Sequence, residues 1–373
     1  MRYLPVSEPL LDGNEKKYLN EAIDTGWISS EGPFVKKFET DFAHKVGRKY
    51  GIAVTNGTGA LEIAVMALGI EPGDEVIVPT FTIISCAQAI TKVGATVVPI
   101  DCDMQDYNIL ADEIEKQITP KTKAIMIVHI YGLASNVEPI LSLAEKYGLK
   151  IIEDSAEAHG LTYKGKPCGS FGDISVFSFY ANKTVTTGEG GMILTDSEEL
   201  AAKCSSLRNL CFKPEKRFVH DEIGFNYRMT NLQAALGVAQ LERLDEFIIK
   251  KKRIGEKYTE LLNSSPYLQL PLDNNGYSEN VYWVYPILLS DNAKVSRDEA
   301  MTELQKRGIG TRPMFYPLHL QPILLRLGLV KNAQNLINSQ KIYERGFYIP
   351  SGLPLTDEEL EYISRQLTEV ITK

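Results

Sequence analysis

The chain has 373 residues, 44% hydrophobic and 24% charged, a globular composition and more chain than a single hydrophobic core ordinarily holds. Its net charge of −8 excludes a general nucleic-acid binder. The opening "MRYLPVSEPLLDGNEKKYL" lacks an apolar signal core, no stretch reaches the ~18 uninterrupted apolar residues of a membrane span, and the five cysteines form no CxxC pair; reduced thiols in a cytoplasmic protein are expected.

After a short extended arm, Tyr18, Leu19, Ala22 and Ile23 recur at helical spacing, so a first helix ends near 25–27. Strand-like and helix-like segments then alternate. "YGIAVT" (50–55) precedes a helix over 60–68, "EVIVP" (75–79) precedes one over 83–92, and "ATVVPID" (95–101) and "KAIMIVHI" (123–130) follow. The helix "PILSLAEKYG" (139–148) leads into "LKIIED" (149–154), and "ISVFSF" (174–179) and "GMILT" (191–195) complete seven β-rich runs. Short apolar strands separated by helices predict an α/β lobe with a mainly parallel seven-stranded sheet, whose ligands sit at the strands' carboxyl ends. Beyond "GFNYRMTN" (224–231) the pattern changes. Residues 232–262 read as one long helix or a kinked pair, "VYWVYPILL" (281–289) as a strand, and "SRDE" (296–299) and "TDEE" (356–359) as capping boxes. The expected division is a large lobe over 1–245 and a small α+β lobe over 246–373. "KKKR" (250–253) reads as a solvated helix face.

Several chemistries fail on the residues. "GLTYKGKP" (160–167) puts Pro167 where a P-loop needs Ser or Thr, no GxGxxG follows a strand, and the five histidines show no metal-ligand spacing, so no metal site is expected. What remains lies at sheet edges. "NGTGALEIA" (56–64) offers Gly57, Thr58 and Gly59 at a helix start suited to phosphate, or alternatively a plain turn with Thr58 as N-cap. In "KIIEDSAEAHG" (150–160) the adjacent Glu153 and Asp154 must face opposite sides of a strand. One of the two is expected to be solvated or a helix cap, the other to lie over the catalytic edge, where a carboxylate can hold a cationic ring nitrogen protonated. Lys183, in "SFYANKTVTTGEGGMI" (178–193), follows the next strand, with glycines 188, 190 and 191 expected to turn the backbone tightly. A lysine, an acid and a phosphate-ready helix start are the set that pyridoxal phosphate requires.

These segments, with "DTGWISSEGPFVKKFE", "GDEVIVPTFT", "GFNYRMTNLQAALGVAQL" and "RPMFYPLH", resemble the DegT/DnrJ/EryC sugar aminotransferases, pyridoxal-phosphate enzymes of fold type I, nearly end to end. The resemblance implies that Lys183 is the Schiff-base lysine and proton shuttle, that Asp154 pairs the pyridinium and that Glu157 bonds the ring hydroxyl. It implies that Thr58, Gly59 and Ser178 hold the phosphate and that Asn226 reaches it from a partner subunit, which makes the enzyme a homodimer with shared sites. Arg228, Tyr316 and His319 fall in segments that line the sugar-nucleotide pocket of relatives. Ile83 stands where relatives stack an aromatic on the ring, with Phe81 the alternative; His159 is expected to stand behind the site. Within the family the motifs imply C4 amination of a nucleotide-linked 4-keto-6-deoxy sugar, GDP-4-keto-6-deoxy-mannose, with L-glutamate as donor and 2-oxoglutarate as by-product. A dTDP- or UDP-linked 4-keto-6-deoxy-glucose is the alternative, and a non-catalytic sugar-nucleotide binder on the same scaffold a remote one.

Overall fold

The computed structural model describes residues 3–213, 215–331 and 333–372. In chain order, α1 (Glu15–Asp24) and α2 (Pro33–Val46) precede β1 (Tyr50–Val54), α3 (Gly57–Ala67), β2 (Glu75–Pro79), α4 (Ile84–Lys92), β3 (Thr96–Ile100), the short α5 (Ala111–Ile114) and β4 (Thr122–Val128). Next come α6 (Val137–Tyr147), β5 (Lys150–Asp154), the hairpin of β6 (Thr162–Tyr163) and β7 (Lys166–Pro167), then β8 (Ile174–Ser178), β9 (Gly191–Thr195) and α7 (Glu198–Arg208). The rest of the chain forms α8 (Asn231–Leu241), α9 (Leu244–Leu262), β10 (Leu268–Gln269), β11 (Tyr285–Leu289) and α10 (Arg297–Lys306). It ends with β12 (Arg312–Pro313), α11 (Pro322–Arg326), α12 (Ile337–Arg345), β13 (Gly346–Ile349) and α13 (Asp357–Ile371).

All seven apolar runs become strands of one sheet, ordered β1-β9-β8-β5-β4-β2-β3. Only β9 runs against its neighbours β1 and β8; the pairs β2–β3, β2–β4, β4–β5 and β5–β8 are parallel. Parallel strands are buried on both faces, and β2 has no exposed residue. Helices α3 and α4 cover one face through Leu61, Ile63, Val65 and Ile90. On the other, α6 packs through Val137 and Ile140, and α2 and α8 through Phe38 and Ala235.

A second, antiparallel sheet, β10-β11-β13-β12, packs with α9, α10 and α13 around Tyr258, Leu304, Phe347 and Leu367. Leu4 of the N-terminal arm belongs to this core and is bridged to Ile309, so the arm, assigned by sequence to the large lobe, packs on the small one. Capping boxes at Ser296 and Thr356 open α10 and α13. Residues 232–262 are a kinked pair, α8 and α9.

Three expectations need correction. The strand over 281–289 begins only at Tyr285, because Tyr282 adopts a left-handed φ of 48° and donates its N–H to Asn280 Oδ1 at 2.7 Å. The basic run is not wholly solvated: Lys251 is 3% exposed and gives Nζ to Ser351 O at 2.6 Å. Burial pushes that lysine's pKa down to about 7. Lastly, Glu153 is neither solvated nor a helix cap. It is fully buried, accepts from His129 Nε2 at 2.9 Å, and holds the turn before β8 through the N–H groups of Gly169 and Phe171. Since His129 Nδ1 accepts from Ser135 N, its Nε2 carries the proton given to Glu153.

Candidate active site

Three strand ends and one helix start build the site. In register, Gly191 of β9 faces Val54 of β1 on one side and Ser178 of β8 on the other. Asp154 ends β5, opposite Val176 of β8. The chain leaving β1 enters α3 at once, with Asn56 rather than Thr58 as its N-cap: Asn56 Oδ1 accepts from Gly59 N at 2.8 Å. That bond commits the amide expected of Gly59 for phosphate. The first-turn N–H groups of Gly57 and Thr58 remain, with no acceptor inside the helix and at its positive end. Thr58 Oγ1 lies 2.8 Å from Ser85 Oγ.

Glycines make the approach possible. A Cβ on Gly57 would lie 2.9 Å from Ser178 Cβ, and one on Gly191 would lie 2.5 Å from Asn56 O. In the lysine loop only Gly188 needs a positive φ, of 78°; Gly190 and Gly191 are small because neighbours crowd them, not because the backbone turns there.

The loop folds back on β8 through Thr187 N and Thr186 Oγ1, both donating to Phe179 O. Lys183 thereby reaches one cavity of about 650 Å³ that is also lined by Thr58, Gly59, Ile83, Asp154, Glu157 and Ser178. Its Nζ stands 3.8 Å from Glu157 Oε1 and 3.9 Å from the ring centroid of Trp283. Burial lowers the Lys183 pKa, opposed by the charges of Glu157 and Asp154. Burial raises Glu157 to about 7, opposed by Lys183 and by Tyr131 N, which donates to Oε2 at 2.8 Å. Asp154 is also raised by burial; Ala156 N donates to its Oδ1 at 3.0 Å, and the Cys86 thiol to its Oδ2 at 3.3 Å.

The other candidates divide. Ile83 is 43% exposed on the cavity wall, whereas Phe81 is fully buried against Tyr107, Tyr131 and Phe315 and does not line the cavity. His159 is buried among Phe42, Phe177 and Phe179, outside the cavity lining, and burial lowers its pKa to about 3. Asn226 is exposed and accepts from the Arg228 guanidinium at 2.7 Å. Among the described residues, the cavity wall includes none of Asn226, Arg228, Tyr316 or His319. Tyr316 packs edge-on against Tyr343, and His319 is buried with Nδ1 on Thr80 Oγ1 at 2.8 Å. Sequence reasoning missed what the small lobe brings: Trp283, Arg312, Phe315 and Tyr348 line the same cavity. Arg312 lay in the quoted "RPMFYPLH", and Asn56 carried a readable signal as an Asn before a helix. Trp283 had none, being hidden in an apolar run.

The profile of the DegT/DnrJ/EryC1/StrS aminotransferase family matches residues 9–368. The chain belongs to that family. It is 44% identical to the GDP-perosamine synthase of Vibrio cholerae over 96% of this chain and 97% of that one. It is 42% identical to the GDP-perosamine synthase of Escherichia coli O157:H7 over 99% of both. Among solved structures, the PLP form of the putative sugar aminotransferase Spr1654 from Streptococcus pneumoniae superposes with a TM-score of 0.93 at 27% identity, covering 99% of each chain. Helicobacter pylori PseC, an aminotransferase of pseudoaminic acid biosynthesis, gives 0.93 at 26% identity over the full length of both.

This DegT/DnrJ/EryC1 chain is therefore an aminotransferase of fold type I, and its cofactor is pyridoxal 5′-phosphate. The residues present fit that group: a glycine cradle at a helix start for phosphate, a buried carboxylate for the ring nitrogen, and a lysine with a lowered pKa in the same cavity. Among the described residues, no helix is long and apolar enough to cross a membrane.

Proposed function

We propose that this chain transfers an amino group from L-glutamate to the C4 ketone of GDP-4-keto-6-deoxy-mannose, giving GDP-perosamine and 2-oxoglutarate. The observation that carries the reading is near-full-length identity of 42–44% to three GDP-perosamine synthases, joined to a cavity that holds Lys183, Glu157 and Asp154 together. Pyridoxal phosphate, when bound, supplies the carbonyl that carries the amino group between the two substrates and the ring that delocalises the developing charge. The chain supplies the rest. Lys183 would hold the cofactor covalently and then move the proton in each half-reaction; its lowered pKa suits an amine that must give up and retake a proton. Asp154 pairs the ring nitrogen, and Glu157, held by Tyr131 N, bonds the ring hydroxyl. Ser178, Thr58 and the free amides beside Gly59 would receive the phosphate, and Ile83 would offer the ring an aliphatic face.

Arg228, Tyr316 and His319 act from outside the wall of the single chain, Arg228 by holding Asn226 and His319 by bracing Thr80. Asn226 completes the phosphate site of a partner subunit in a homodimer. Its exposure supports this, as do the exposed apolar side chains of Phe218, Val219 and Ile223 just before it. The division at 245/246 falls inside the start of α9, which leads into the small lobe. A cytoplasmic enzyme agrees with five buried, free cysteines.

The test of function is incubation with glutamate and GDP-, dTDP- and UDP-linked 4-keto-6-deoxy sugars, with products identified by mass. Amination of the GDP-mannose derivative in preference to the others supports the reading; preference for a dTDP or UDP sugar overturns it. For the dimer, Asn226→Ala and Lys183→Ala subunits, each inactive alone, regain activity when mixed. If mixing restores none, the shared site is wrong.

A further inference from the structure

Asp154 is 3% exposed, and a carboxylate so placed needs donors to stay charged. The backbone gives it one, Ala156 N on Oδ1. The other oxygen faces a side chain from a different element. We propose that Cys86, on the first turn of α4, is a positioning residue: its thiol donates to Asp154 Oδ2 at 3.3 Å and holds the carboxylate ionised and aimed at the cofactor-ring nitrogen. This rests on the reading that Asp154 pairs that nitrogen.

The geometry favours a thiol that is always a donor. Cys86 is fully buried, one helical turn after Thr82, whose Oγ1 lies 3.5 Å from Sγ. Burial, and then the Asp154 charge, push the thiol well above its ordinary pKa, so it does not become a second anion beside the first. The other ionisable groups that act on Asp154 are Lys183, His129 and Glu157. His129 spends its proton on Glu153, while burial shifts the Lys183 pKa down and raises that of Glu157 to about 7. Cys86 and Ala156 N are thus the donors whose state stays constant while the lysine works. A thiol is also a weak donor. It steadies the carboxylate without drawing off the negative charge that the ring nitrogen needs.

The test uses holoenzyme variants Cys86→Ala, Cys86→Val and Cys86→Ser, with Asp154→Asn as reference, and reads the visible absorbance of the bound cofactor against pH beside steady-state kinetics. In Cys86→Ala and Cys86→Val the absorbance midpoint moves up in pH, in the direction of Asp154→Asn, and kcat falls about three- to tenfold, as for one lost hydrogen bond, with KM for glutamate unchanged. Cys86→Ser keeps a donor and restores both. If Cys86→Val restores what Cys86→Ala loses, the residue only fills space and the positioning role is wrong. If Asp154→Asn is impaired while Cys86→Ala and Cys86→Val match wild type, the role of Cys86 falls alone. If Asp154→Asn itself behaves as wild type, the reading of Asp154 falls and takes Cys86 with it.

Discussion

Lys183 and Glu157 stand 3.8 Å apart with opposite displacements, an amine whose charged form burial disfavours and a carboxyl that keeps its proton up to about pH 7. The two displacements bring the affinities of the pair closer together, which favours a lysine that must release and retake a proton. Lys183→Ala is expected to lower turnover by about 10²–10⁴-fold. Borohydride, which fixes cofactor onto the wild-type chain, should leave none on that variant when checked by intact mass. Glu157 also predicts a stability effect. Its folded pKa lies above its unfolded one, so the folded chain binds more protons, and that contribution, complete below pH 4.5, is lost as pH rises through about 7. The Tm of Glu157→Gln apoprotein is expected to vary less with pH over that window than wild type. At this scale Lys183 and Asp154 were legible because each ends or follows a strand in an alternating pattern. Arg312 and Trp283 were not, because nothing local tells which small-lobe side chains will meet a large-lobe cavity.

At the scale of elements, the lysine loop and the phosphate helix are fitted to each other through Gly191, whose neighbours are Asn56 O and Gly57 N. Gly191→Ala should push β9 away from the start of α3 and weaken cofactor retention, measured by absorbance after dialysis, more than it lowers Tm. Asn56→Ala removes the cap of α3, at a stability loss of about 1 kcal/mol in chemical denaturation. Every strand of the large sheet was readable from its own apolar run. The exception in the small lobe is instructive: residues 281–284 have strand composition, yet Asn280 captures Tyr282 N and a positive φ breaks the line before β11. Composition reports burial there, not extension.

Across the whole molecule, α9 leads from the large lobe into the small one and carries a lysine whose charged form burial disfavours. Lys251 touches Ser351 O, and the next strand end returns to the arm through Ser351 N and Val6 O. Its folded pKa of about 7 lies below the ordinary 10.5, so the unfolded chain binds more protons and stability should rise with pH across that interval. Lys251→Met should raise Tm near pH 7 and abolish that part of the slope, since every tenfold loss of proton affinity on folding costs about 1.4 kcal/mol. Trp283 crosses the same divide: its Nε1 donates to Asn182 O in the lysine loop, and Lys183 Nζ sits over its face. The chain has two tryptophans, and Trp27 is 51% exposed. Trp283 is therefore a built-in fluorophore facing the reacting lysine. Its emission should drop when cofactor binds and change again as the lysine is released, while Trp27 gives a constant background that Trp283→Phe would isolate. Lobe contact and lysine occupancy can then be followed in real time, without a label, in the unmodified enzyme.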